Sequence, residues 1–133
     1  MNTNRNTSLV VAAGVAFIFG LLTILSGGRA LFGGAEARAA VGNAVPFVLW
    51  FNFLAGFAYV VAGIGLFLRH SPAVWVSIGI LASTFLVMLA FALHISEGGA
   101  YEMRTVGAMI LRTGVWAVIS VVAWKHIRQA PKP

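Results

Sequence analysis

The fold of this chain is decided by the stretch HISEGGAYEMRTVGAMILR, residues 94–112. It joins two strongly apolar runs through the short connection EGGAYE. A connection this short forces the two flanking helices to be antiparallel neighbours. The same stretch carries Glu97 and Glu102, two of the three acidic residues of the chain. It therefore predicts both the topology of the chain and the location of its polar chemistry.

The composition indicates whether the folded chain lies in water or in a lipid bilayer. Hydrophobic residues make up 60% of the 133 residues and charged residues only 9%, whereas soluble domains average about 25% charged residues. A soluble globule of this size could not hide so much apolar surface, so we predict an integral membrane protein with the lipid bilayer as its partner. The net charge of +6 is distributed along the chain and forms no basic stripe, which argues against nucleic-acid binding.

Four apolar runs are long enough to cross a bilayer, which takes about 17–25 residues. We predict an all-α, antiparallel bundle of four transmembrane helices in one domain, residues 1–133. The helices are predicted at about 9–26, 45–68, 73–96 and 103–124, with the longest loop at 27–44 and a short interfacial helix at 35–41. The first run could instead be a signal peptide, but it is longer than the usual apolar region of about 7–15 residues.

The basic residues predict the orientation. An even number of spans puts both termini on the side of the Arg69 loop. That side carries five basic residues (Arg5, Arg69, Lys125, Arg128, Lys132), and the other side carries three (Arg29, Arg38, Arg104) and all the glutamates. Basic residues concentrate in cytoplasmic loops. We therefore predict a multi-pass protein of the bacterial inner (plasma) membrane, with both termini cytoplasmic.

Arg112 is the most informative single residue. It lies roughly 13 Å inside the fourth predicted span, where an arginine costs about 2.5–3.5 kcal/mol on insertion scales. Such a residue requires a partner, and we expect a carboxylate (Glu97 or Glu102), a carbonyl group or an anionic ligand. The alternative is a purely structural role, as an ion pair or a cation–π contact with Trp116 one turn further on.

Other polar residues fall near the same end of their predicted helices. We predict that they converge in one ligand-binding cluster, made up of Asn52, His94, Glu97, Tyr101, Glu102, Arg104 and Arg112. His94 and Glu97 have a spacing that can bind a metal, but the neighbouring arginines would repel a cation, so no metal site is predicted. The chain has no cysteines and no recognisable catalytic motif, so we predict neither a cofactor nor an enzymatic activity.

Each predicted helix has one face of small or polar residues, and we predict that these faces form the interior of the bundle. The faces are Ala12, Ala16, Thr23 and Gly27; Asn52, Gly56, Tyr59 and Gly63; Ser83, Val87, Ala90 and His94; and Thr105, Ala108, Arg112, Trp116 and Ile119. The glycine pairs Gly56/Gly63 and Gly107/Gly114 offer surfaces for close packing, within one subunit or between subunits.

Two segments, IFGLLTILSGGRALF (18–32) and FNFLAGFAYVVAGIGLFLRH (51–70), give the first half of the chain a resemblance to the DoxX-like family. These are small four-helix bacterial membrane proteins, and the resemblance implies an accessory inner-membrane subunit, sometimes linked to redox systems. We predict a non-enzymatic accessory or assembly subunit that acts through the polar cluster around Arg112. The alternative is a small-ion or small-solute transporter or channel with Arg112 in an anion or proton-coupled site. One bundle is too thin to enclose a wide pore, so that function requires a homo-oligomer.

Overall fold

The protein is an all-α bundle of four long helices. The computed structural model describes residues 3–42 and 45–128; Lys132, which counts toward the orientation prediction, lies outside them. The helices are α1 (Thr3–Phe32), α2 (Ala35–Val41), α3 (Pro46–Phe67), α4 (Pro72–Ser96) and α5 (Met103–Ala123), followed by the π-helical turn Trp124–Arg128. All except α2 are long and apolar enough to span a membrane. The predicted fold class is confirmed, and the chain is a multi-pass membrane protein.

The bundle has two chemically different ends. The terminal end holds the start of α1, the α3–α4 turn and the end of α5; there the Arg69 guanidinium donates a hydrogen bond of 2.7 Å to the carbonyl oxygen of His126. The loop end holds α2 and the connection between α4 and α5. Antiparallel order therefore places the N-terminal half of α5, which includes Arg112, toward the loop end.

The first helix is longer than predicted, and the predicted loop 27–44 is partly helical. Gly27 does not end α1, because it lies against α3: a Cβ built on it would be 3.0 Å from the Cβ of Phe53. The helix ends at Phe32, and the chain then turns at Gly34, whose φ of 90° suits glycine. The short helix predicted at 35–41 is confirmed as α2.

Close backbone contact joins α1 to α3, the most extensive helix pair of the bundle. A Cβ built on Gly20 would lie 2.8 Å from the carbonyl oxygen of Gly56, and one built on Gly63 would lie 2.8 Å from the backbone nitrogen of Phe17. Small residues permit such approach where no hydrophobic effect drives helices together. The Gly56/Gly63 pair thus packs within the subunit.

Three of the four predicted interior faces are confirmed. The buried residues on them are Ala12, Ala16, Thr23 and Gly27 on α1; Gly56, Tyr59 and Gly63 on α3; and Arg112, Trp116 and Ile119 on α5. The prediction for α4 is wrong, because its buried face is Ala73, Ser77, Ile80, Thr84 and Phe91. The hydroxyl of Ser83 donates to the carbonyl oxygen of Ile80 in its own helix. It needs no partner from another helix, so its polarity did not indicate the interior face.

Candidate functional site

Arg112 lies inside the bundle and links three helices. Its side chain is 9% exposed. Its Nη1 donates hydrogen bonds of 3.0 Å to Oγ1 of Thr23 on α1 and of 3.2 Å to the hydroxyl of Tyr59 on α3. The three residues belong to the buried faces of α1, α3 and α5, so helix packing brings them to one level. We call this group the arginine clamp.

Aromatic rings surround the guanidinium. Cζ of Arg112 lies 4.9 Å from the ring centroid of Phe19 and 5.8 Å from that of Tyr59, within the range of cation–π attraction. Trp116, the predicted ring partner, lies behind Tyr59, with the two ring centroids 4.9 Å apart. The structure therefore assigns the cation–π contact to Phe19 and Tyr59 in place of Trp116.

The charge of Arg112 is not neutralised within the described residues. Its side-chain hydrogen bonds go to two hydroxyl groups instead of the predicted carboxylates of Glu97 or Glu102. Its buried Nε has no hydrogen-bond partner. Burying a cation away from water is costly unless a counter-charge accompanies it. The arginine clamp is thus a buried positive site with unused hydrogen-bonding capacity.

A cavity of about 290 Å³ lies between α1, α3 and α5 on the loop-end side of the clamp. We call it the polar pocket; its lining residues are Ser26, Val45, Val48, Leu49, Asn52, Glu102, Arg104, Thr105 and Ala108. Ala108 precedes Arg112 by about one helical turn, so their Cα atoms are about 6 Å apart along the helix axis. Oδ1 of Asn52 is buried and has no hydrogen-bond partner. Three of the predicted site residues, Asn52, Glu102 and Arg104, therefore line one cavity.

Helix α2 lies at the rim of the polar pocket, where Arg104 bonds to it and Glu102 lies next to its C-terminal end. Nη2 of Arg104 donates a hydrogen bond of 3.0 Å to the carbonyl oxygen of Ala40. The carboxylate of Glu102 occupies the space where a side chain on Gly42 would stand, and Gly42 has a φ of 61°. Since both residues also line the cavity, a ligand there would alter the contacts that hold α2.

The remaining predicted residues lie elsewhere at the loop end and do not line the polar pocket. Nε2 of His94 lies 2.9 Å from the carbonyl oxygen of Ala100 and fastens the α4–α5 connection. The ring of Tyr101 packs edge-on against Phe91 at 6.4 Å between centroids. Glu97 is exposed just after α4. Among the described residues, no three His, Asp or Glu side chains gather in a group suited to a metal ion.

Sequence reasoning did not assign Thr23, Tyr59 and Phe19 to the site. Thr23 and Tyr59 were placed on interior faces, but nothing in their spacing along α1 and α3 indicates contact with Arg112. A signal was nevertheless present. Within the apolar run 9–25, Thr23 is the only side chain that can hydrogen-bond, and a lone hydroxyl at membrane depth seeks a polar partner.

These features define the class of the molecule: a multi-pass membrane protein with a polar pocket at one end of a four-helix bundle, above a buried arginine. Compared with protein-family models, with curated proteins and with solved structures, the chain shows no match.

Proposed function

We propose that this protein is a non-enzymatic accessory subunit of a membrane complex and that its polar pocket, with α2 at the rim, is the contact region. The main support is that the polar pocket and the buried arginine both lie toward the loop end. In the described part of the chain, the interior between the arginine clamp and the terminal end is filled mainly by apolar side chains, among them Leu66, Val74 and Ile119, although it also contains the buried hydroxyls of Ser77 and Ser120. A solute in the pocket would therefore meet a mostly apolar interior in a single bundle.

The surface near the pocket suits a protein partner. Phe32 and Trp50 are 65% and 44% exposed, and their rings meet edge-on at 5.7 Å between centroids. Aromatic residues are enriched among interface hot spots. Phe32 precedes α2 and Trp50 lies in the first turns of α3, so these rings lie at the loop end of the bundle. We expect a partner to bind across the rim of the pocket.

Purification from the native membrane under mild conditions tests this proposal. We expect native mass spectrometry of the tagged wild type to show a hetero-complex, and we expect Arg104→Ala to lose the partner. Arg29→Ala is the matched control, because Arg29 is an exposed cation in the last turn of α1 and is not among the pocket-lining residues. Recovery of the wild type without any other protein would contradict the proposal, as would equal loss of the partner in both variants.

A second function is favoured by one observation, the unneutralised charge of Arg112. A buried guanidinium with a free Nε suits an anion, and an oligomer could build a path for small ions between copies. We expect Arg112→Gln to abolish chloride or phosphate flux in liposomes while the purified variant keeps its helical circular dichroism. Flux equal to that of the wild type would exclude this role for Arg112.

The location and orientation belong to the same proposal. We propose the bacterial inner membrane with cytoplasmic termini, supported by the bias of basic residues toward the terminal end, and kinship with the DoxX-like family, supported only by the resemblance of segments 18–32 and 51–70. Because the chain has no cysteine, single cysteines can report orientation. In intact cells, we expect a membrane-impermeant maleimide to label Ser96→Cys at the loop end and to spare Ser71→Cys at the terminal end. The reverse pattern would invert the orientation.

A further inference from the structure

A second cavity, chemically opposite to the polar pocket, opens on the side of the bundle between α1 and α5. Its volume is about 850 Å³, and we call it the lateral groove. It is lined by Thr7, Ser8, Val11, Ala12 and Val15 on α1 and by Ile110, Leu111, Gly114, Val115, Val118, Ile119 and Val122 on α5. Apart from two hydroxyl residues at one end, the walls are hydrocarbon.

The lateral groove exists because the bundle is not closed. In a four-helix bundle each helix packs against two neighbours. Here α1 packs extensively on α3, and α4 packs on both α3 and α5, but α1 and α5 have the sparsest contact of the four sides. The hydrogen bond from Arg112 to Thr23 joins them. On the terminal side of that bond the two helices leave a wedge open to the bilayer.

The length of the lateral groove matches one leaflet. It runs from Ile110 to Val122 on α5 and from Thr7 to Val15 on α1, roughly 18 Å and roughly 12 Å at the rise of an α-helix, and half of a hydrocarbon core is about 15 Å. A smaller cavity of about 340 Å³ shares Val15 with the groove and ends at Phe19, beneath the arginine clamp. A transmembrane helix would need a surface through both leaflets, whereas an acyl chain needs only one.

The polar end of the lateral groove carries positive charge. Thr7 and Ser8 lie at this end on α1. Lys125, in the π-helical turn that follows α5, is exposed three residues beyond the last lining residue, Val122, and so lies beyond this end of the groove on the membrane-surface side. A lysine and hydroxyl groups at headgroup depth complement a lipid phosphate. We propose that the lateral groove is a binding site for an anionic phospholipid, with one acyl chain between α1 and α5 and the phosphate against Lys125.

The site is separate from the proposed partner contact, because none of the residues that line the lateral groove lines the polar pocket. It also fits the proposed orientation, in which the terminal end faces the cytoplasmic leaflet, where anionic lipids concentrate. A bound acyl chain would fill the wedge and complete the packing of α1 on α5. The lipid would then act as a structural ligand of the bundle.

Two glycines provide a matched pair of variants to test this site. Gly114 lines the lateral groove, whereas Gly79 lies on the exposed face of α4. A Cβ built on either meets no atom within 4 Å, so at both positions a leucine side chain starts in open space. Gly114→Leu fills the groove, and Gly79→Leu makes the same chemical change away from it.

The measurement is native mass spectrometry of protein released from vesicles of equal phosphatidylglycerol and phosphatidylcholine. We expect the wild type and Gly79→Leu to retain one phosphatidylglycerol, and Gly114→Leu to retain at least five-fold less. Lys125→Gln should retain lipid but lose the preference for the anionic headgroup. Wild-type retention by Gly114→Leu would overturn the proposal. A lipid-free wild-type dimer that Gly114→Leu dissociates would also overturn it and assign the groove to a second copy of the chain.

Discussion

Helix α1 meets its two neighbours in opposite ways. Against α3 it is packed backbone to backbone through Gly20, Gly56 and Gly63. Against α5 it is joined by the bond from Arg112 to Thr23, with a cavity on either side of that level. Where the glycines bring α1 and α3 together, the backbones touch, although a cavity of about 400 Å³ lined by residues such as Val10 and Phe67 lies toward the terminal end of this pair. The backbone contacts that hold the bundle are therefore on the α3 side of α1, whereas the larger lateral groove lies on its α5 side.

The largest effect is expected from Gly63→Ala, which tests the packed side. A methyl group there would meet the backbone of Phe17 at 2.8 Å and of Ala13 at 3.0 Å, and backbone atoms cannot move aside as side chains do. Overpacking of this kind costs about 1–3 kcal/mol, so we expect a strongly lowered melting temperature by circular dichroism in detergent. Gly14→Ala, on the same pair of helices, is the control, because a Cβ there meets no atom within 4 Å. If both variants melt alike, the glycine contact does not stabilise α1 on α3.

The next effect tests the arginine clamp by a double-mutant cycle. Tyr59→Phe removes one acceptor of Arg112 and leaves the ring in place. Interhelical hydrogen bonds in membranes are worth about 0.6 kcal/mol on average and about 1.7 at most, so we expect a loss of free energy of unfolding in this range. In the Arg112→Met background the same change should cost almost nothing, since no donor remains. An equal cost in both backgrounds, measured by equilibrium unfolding in mixed micelles, would show that the tyrosine hydroxyl acts independently of the arginine.

An effect confined to α2 is expected where this helix lies over the polar pocket. Gly42→Ala puts a methyl group at a φ of 61° and a ψ of −126°, a sparsely populated conformation that costs a non-glycine residue roughly 1–3 kcal/mol, and against the carboxylate of Glu102. We expect faster amide hydrogen exchange in α2 and unchanged exchange in α4. Gly34→Ala is the control for backbone strain without a steric clash. Gly34 also has a positive φ, 90°, but a Cβ built on it meets no atom within 4 Å. Identical exchange in the two variants would mean that Glu102 has no part in holding α2.

The comparison also explains which features could be predicted from the sequence. Hydropathy predicted the four spans because each span must by itself be long and apolar enough to cross the bilayer. The patterns of small residues predicted the packed faces of α1 and α3. The glycines were harder to interpret: Gly27 resembles a helix breaker in isolation and is a contact residue in the bundle. A glycine is open to both interpretations until its neighbour is known.

The other features of the site depend on contacts between helices, and the spacing of residues along one helix does not specify such contacts. The burial of Arg112 followed from its position, but its partners Thr23 and Tyr59 lie on other helices. Neither predicted carboxylate pairs with Arg112, because Glu97 is exposed and Glu102 lies at the rim of the pocket near Gly42. A buried arginine is expected to pair with a carboxylate, but within the described residues Arg112 has no carboxylate partner. That mismatch is itself the reason to look for an external anion or partner.

The smallest effect is expected at Gly107→Ala, on the exposed face of α5. A Cβ on Gly107 meets no atom within 4 Å, so alanine should add only its higher helix propensity, which raises the free energy of unfolding by up to about 1 kcal/mol in an isolated helix. In detergent we therefore expect a melting temperature equal to or slightly above that of the wild type. A marked loss of stability in native membranes, with none in detergent, would show that a membrane component lies against this face. This face of α5 is exposed in the isolated chain. It would then be covered by another component in the membrane, as the face of α1 toward α3 is covered within the bundle.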